Sequence, residues 1–149
     1  MPVSSIDAAA RICERGNWQV TNLALQKILY LAHMVYMGRY AGQRLVDAQF
    51  EAWDYGPVEP KLYHHVRAFG HKPIGDFFFS AKSLNGTAEG AVLDEACKNF
   101  LTKRPAELVA ITHQPNTAWA KNYVPGVRGI VIPDRDIYDE YRLRTGSQG

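Results

Sequence analysis

Cysteine is scarce in this chain: Cys13 and Cys97 are the only two in 149 residues, and they are far apart with no Cys-x-x-Cys spacing. A disulfide framework is therefore not expected, and the pattern suits buried thiols in a reducing compartment. Long apolar runs are missing too, since none reaches the roughly 18–20 residues of a membrane span. The opening MPVSSIDAAA lacks the basic stretch followed by an apolar one that marks a signal peptide. The expected location is the cytoplasm. Net charge is small: 17 Lys and Arg against 15 Asp and Glu give +2, with the basic residues scattered. That is too little for a dedicated nucleic-acid binder, which carries a clustered basic stripe.

The common catalytic signatures are absent as well. There is no Gly-x-Ser-x-Gly elbow and neither Gly-rich phosphate fingerprint. His64 and His65 are adjacent, so on a helix they point about 100° apart and do not share one metal ion. His71, His113 and Cys97 have no ligand spacing that joins them, so no metal and no cofactor are expected. The carboxylate pairs Asp94–Glu95 and Asp139–Glu140 read as solvated helix surface. Asp54, beside Tyr55, is the best acid–base candidate, and no partner for it is visible. Phe77-Phe78-Phe79 lacks the Lys, Arg and Gly interleaving of an RNA-stacking motif and reads as a buried strand.

What the chain does have is helical periodicity. A hydrophobic fraction of 46% supports one core without disulfides, and 149 residues fit one domain spanning 1–149. Ser4 and Asp7 have capping-box spacing ahead of an apolar stripe at Ile6, Ala9, Ala10 and Cys13, with Gly16 as the stop. The segment NLALQKILYLAHMVYMG is apolar nearly all round, which predicts a central buried helix capped by Thr21 or Asn22 and ended by Gly38. Lys27 and His33 interrupt it, His33 as a hydrogen-bonded core or rim residue. An extended piece near residues 49–53 is stopped by Pro57, and a helix follows to Phe69 with proline in its first turn and Glu59 at its positive end. Residues 74–79 read as a strand pairing with that extended piece, and residues 81–90 as an exposed loop. Further helices are expected over 88–103, 106–112, 116–123 and 134–143. The fold class is mainly α: a helical bundle of about 5–7 helices with a small two-stranded β element.

Three stretches go beyond local physics. LQKILYLAHMVYM at 25–37, AWDYGPVEPKLYHHV at 52–66 and LVAITHQPNTAW at 108–119 occur in an order and spacing that resemble the SocA-like, or Panacea, domain family, and the closing IPDRDIYDEY is similar to the family's last helix. The most specific part is Gly56-Pro57-Val58 followed by Pro60, Leu62 and Tyr63. One departure is Ala118, where the family usually has proline before the tryptophan. The resemblance implies an antitoxin, of a kind often carried on prophages and encoded beside its toxin gene. Such a protein neutralises a cognate protein toxin by binding it, or delivers it as an adaptor to a cytoplasmic protease. The family offers no catalytic residues to carry over, and no enzyme is expected. Gly56, Pro57, Val58, Pro60, Leu62, Tyr63, Thr112, His113 and Trp119 then read as scaffold, with Trp53 and Tyr55 packing the corner that Gly56 and Pro57 make. The corner would present Trp53, Tyr55, His64 and Arg67 to the partner, since Trp, Tyr and Arg dominate binding hot spots. The alternatives are a nucleic-acid-binding regulator of its own operon and, more weakly, a small hydrolase built on Asp54 and a histidine.

Overall fold

A computed structural model describes residues 2–78 and 80–146. Among them are seven α-helices and one antiparallel two-stranded sheet, in the order α1 (Ser5–Arg15), α2 (Asn22–Arg39), β1 (Glu51–Trp53), β2 (Gly56–Val58), α3 (Pro60–Val66), α4 (Ala88–Phe100), α5 (Pro105–Thr112), α6 (Ala118–Asn122) and α7 (Asp134–Thr145). This is the expected mainly α architecture. Helix starts are fixed by side-chain oxygens: Ser4, Thr21, Thr87 and Thr117 each accept the backbone N–H three residues on, filling donors that a helix leaves orphaned. Asp7 completes only half of its capping box. Its carboxylate accepts from Lys82 N at 2.8 Å instead, tying the chain before α4 onto α1.

The central helix is α2, packed against α1, α4, α5, α7 and β2. Leu25, Ile28, Leu29 and Leu31 are at most 1% exposed, each worth about 1.5–3 kcal/mol of burial. Gly38 does not end α2, which runs on to Arg39. The Tyr141 ring of α7 occupies the space a Cβ would need there, so this glycine serves helix–helix approach. Gly16 does cap α1, but at φ −88; the left-handed turn falls on Asn17 and Trp18. The buried face of α1 is Ser5, Ala8, Ala9, Ile12 and Cys13, rotated by about one residue from the predicted stripe, with Ile6 and Ala10 at its margin.

The strand pairing differs from the expectation. β1 pairs with β2 across the two-residue turn Asp54-Tyr55, in the register Glu51↔Val58, Ala52↔Pro57 and Trp53↔Gly56. Pro57 therefore lies within a strand instead of stopping one. Its position faces away from β1, where a missing N–H breaks no ladder bond. The outer edge of β1 is covered by the 130–132 segment, through Ala52 N to Ile130 O and Ile132 N to Phe50 O. Residues 74–78 accordingly find no edge to join. They form no strand; Ile74 and Phe78 are buried in the core, while Phe77 is partly exposed beside His65. Phe79 lies outside the described residues. The segment before α4 is less open than expected, because Leu84 is buried.

Polar groups clamp the bundle in two places that read as solvated surface in the sequence. Arg11 grips Asp94 with two 2.8 Å bonds and Arg15 adds a third, joining α1 to α4. Glu140 is 2% exposed. It accepts from Tyr30 Oη at 2.7 Å, Ala118 N at 3.0 Å and Arg144 Nε at 2.7 Å, while Arg144 also donates to Ile111 O. Three helices, α2, α6 and α7, meet at that carboxylate, Arg144 links it on to α5, and its three donors, one of them charged, are what make its burial tolerable.

Candidate functional site

The β1–β2 hairpin is held from beneath by Lys27. This side chain is fully buried on α2 and donates to Pro57 O at 3.0 Å. Burial lowers its pKa to about 7, because an apolar surround disfavours the charged ammonium. Gly56 makes this approach possible. Its φ is +110, and a Cβ there would stand 2.9 Å from Lys27 Cε and 3.0 Å from Thr112 Oγ1, so both the backbone and the space call for glycine. Alongside, Gln26 reads the backbone of Glu59, accepting from its N–H at 2.8 Å and donating to its carbonyl at 3.4 Å. Glu59 in turn caps α3 by accepting from Lys61 N and Leu62 N.

From the other side the hairpin is held by aromatic rings. His113, the C-cap of α5, stacks on Trp119 at 3.8 Å and 6°, and Trp119 stacks on Tyr123 at 4.5 Å. Trp119 Nε1 donates to Trp53 O at 2.6 Å, and Tyr123 Oη donates to Asp54 Oδ1 at 2.6 Å. Burial first, and Lys27 second, push the pKa of His113 below its ordinary value. Thr112 spends its hydroxyl within α5, donating to Leu108 O and Val109 O. The structure thus brings Gly56, Pro57, Thr112, His113 and Trp119, scattered in sequence, to one place around Lys27. Val58 closes β2, Pro60 opens α3, Leu62 is fully buried, and Tyr63 meets Trp53 edge-on at 4.9 Å.

The four residues expected to face a partner separate into two kinds. Trp53 is 9% exposed. Its indole N–H donates to Glu51, and Arg128 lies 4.3 Å above its ring. Tyr55 does not pack the corner but stands at the hairpin tip, 70% exposed. His64 and Arg67 are exposed and adjacent, with Arg67 Nη1 3.2 Å from His64 Nδ1. Asp54, the acid–base candidate, is engaged with Tyr123 and not with a histidine in any bond seen here. Among the described residues no three His, Cys, Asp or Glu side chains gather as a metal site, and no helix is long and apolar enough to cross a membrane.

A cavity of about 590 Å³ opens beside the hairpin. The start of α2 supplies Leu23, Gln26 and Lys27, the hairpin supplies Trp53, Tyr55 and Val58, and Tyr63 and His71 form one wall. Val127 and Arg128 complete the lining, Arg128 over the Trp53 ring. Sequence reasoning missed Lys27, Gln26 and Arg128. For Lys27 a signal was present, as the charged residue in the middle of a helix otherwise apolar nearly all round. Nothing local marks Arg128, whose place over Trp53 depends on the return of residues 130–132 to the sheet.

The Antitoxin SocA-like, Panacea domain family matches residues 25–120, a span that holds the hairpin, Lys27 and the His113–Trp119 stack. Antitoxin SocA of Caulobacter vibrioides (strain NA1000 / CB15N) is 32% identical over 145 residues, covering 86% of this chain and 75% of that protein. No solved structure matches. The departure at Ala118 has a local explanation: its N–H donates to buried Glu140, which a proline could not do. With the family match across most of α2 to α6 and a relative at this identity, the chain belongs to the Antitoxin SocA-like, Panacea domain family.

Proposed function

We propose that this protein is an antitoxin that neutralises a protein toxin by binding it directly, without catalysing a reaction. The carrying observation is its membership of a family described as antitoxin SocA-like, over a span that includes the whole hairpin platform. The geometry supports the same reading: Lys27, Gln26 and the aromatic stack spend their polar groups holding the hairpin in place, and the groups left exposed at its tip and flank are Tyr55, His64 and Arg67. Such a rigid platform with an exposed aromatic and a guanidinium suits a hot spot. Trp53 supports that surface from below.

The test is co-expression with the product of the neighbouring gene. The expected result is that this gene alone arrests growth, that the pair grows, and that a stoichiometric complex is pulled down. Arrest that persists when both are made, with no complex, overturns the reading. Delivery of the toxin to a cytoplasmic protease is the second form of the same function. It predicts that toxin levels fall when this protein is made and recover in a protease-deficient strain, whereas simple sequestration leaves them unchanged.

A further inference from the structure

We propose that the cavity beside the hairpin takes an extended acidic–apolar segment of the neutralised protein: one large apolar side chain in the cavity with a carboxylate next to it. This rests on the antitoxin reading and names the chemistry of its contact. The volume, about 590 Å³, is in the range that encloses a large side chain with its neighbours. The apolar surface comes from Leu23, Trp53, Val58, Tyr63 and Val127. The charge is one-sided. Arg128 and His71 are both exposed in the lining, while Lys27 is fully buried with its amine on Pro57 O and adds no free charge. Asp54 is the one acid among the described lining residues, and it accepts the Tyr123 hydroxyl. Glu51, close by, accepts the Trp53 indole N–H.

Exposed apolar surface continues beyond the cavity, which favours a chain segment over a free small acid. Leu23, Tyr55 and Val127 are 37%, 70% and 43% exposed around its mouth, an apolar rim that a small ligand leaves wet. Beyond the Tyr63–His71 wall the basic character continues. Residues 60–75 contain no acid and carry exposed Lys61, His64, Arg67, His71 and Lys72. An acidic segment leaving the cavity along this flank meets complementary charge, which steers encounter and rejects basic partners. Nucleic acid is the less favoured occupant. Only Lys61, Arg67 and Lys72 carry permanent charge on that flank, fewer than the roughly 6–10 phosphate contacts of a strong binder.

Two arms test the proposal. In the first, the full chain is titrated with indole-3-propionate and with its neutral amide, followed by amide NMR shifts. The expected result is saturable shifts around Trp53 and Tyr63 with the carboxylate at least ten-fold tighter than the amide, a preference lost in Arg128→Glu. Equal affinities, or no shifts at these residues, overturn the cavity chemistry. In the second arm, Leu23→Glu and Arg128→Glu are measured for binding to the co-expressed neighbour, with Arg135→Glu on α7 as the distant charge reversal. A loss of ten-fold or more in the first two but not the third is expected, each variant being checked for unchanged thermal unfolding. A complex that forms and ignores both cavity variants overturns the docking proposal while leaving the antitoxin reading intact. Carboxylate preference without any complex removes the antitoxin reading and reassigns the cavity to a free small acid. Retention of a DNA duplex at low salt that Lys61→Glu abolishes would assign the flank to nucleic acid instead.

Discussion

Replacing Lys27 by methionine should change how stability depends on pH more than it changes stability itself. Burial lowers the folded-state pKa of Lys27 from 10.5 to about 7. In the unfolded chain the amine keeps its proton up to about pH 10.4. Between these values the unfolded state binds one more proton than the folded state, so the contribution of Lys27 to stability rises with pH, by about 1.4 kcal/mol per unit. It is fully present above the unfolded pKa and lost as pH falls toward 7. The thioether of the Lys27→Met variant cannot titrate, and it leaves Pro57 O without its donor, a pH-independent cost of about 1–3 kcal/mol. From pH 7.5 to 9.0 the stability difference between the two proteins should therefore move in favour of Lys27 by about 2 kcal/mol. For a chain this size that is roughly 4–8 °C in relative Tm. Cys13 and Cys97, whose thiols burial pushes up to about 12, act in the opposite direction but equally in both proteins. Denaturant unfolding followed by tryptophan fluorescence at several pH values measures the difference. Parallel pH profiles for the two proteins would refute the reasoning, because they would mean that Lys27 stays charged beneath the hairpin.

Three other outcomes follow from the geometry. Gly56→Ala forces a positive-φ alanine against Lys27 and Thr112; a loss of about 2–4 kcal/mol is expected from strain and overlap together, read as a lower midpoint in denaturant, and an unchanged midpoint counts against the packing described. Ala118→Pro restores the usual family residue but removes a donor to buried Glu140, so a loss of about 1–3 kcal/mol is expected, checked by thermal unfolding beside Ala118→Gly, which keeps the N–H. His33, whose Nδ1 accepts from Val46 N and whose pKa burial lowers to about 4, is neutral when folded but protonates in the unfolded chain below about pH 6.5. Its stabilising contribution is lost as pH falls through that window to 4, by about 3 kcal/mol in all; His33→Gln should flatten the acid limb of the stability profile, and an unchanged limb would assign it to the carboxylates.

Helix positions were legible because their signals are local. Ser4 and Thr21 precede apolar periods, and Pro105 opens α5 where a proline is tolerated. The hairpin was not legible, because Pro57 reads as a breaker unless one knows that its outward side has no strand to pair with. The aromatic run misled for the converse reason: of its described residues, Phe78 is buried in the core without strand pairing and Phe77 lies beside His65. Lys27, Glu140 and Asp94 show the limit most clearly. Where a charged residue is buried or paired depends on partners 30, 110 and 83 positions away, and helical period places a residue on a face without saying what meets it. Of the residues at the candidate site, the Gly56–Tyr63 stretch was visible as a unit, while Val127 and Arg128 were not.

The closure of the small sheet limits how this protein can be recognised. On β1 the outward backbone groups are taken by residues 130–132. On β2 the one outward position is Pro57, which has no N–H and whose carbonyl belongs to Lys27. Neither β1 nor β2 offers a free ladder of backbone groups, so strand addition directly onto these two strands is blocked. A partner that meets the hairpin there must read side chains. On the proposed antitoxin reading, specificity at the hairpin then rests on side chains such as those at 54, 55 and 128. The same closure leaves β1 and β2 without the unpaired edge through which small sheets aggregate.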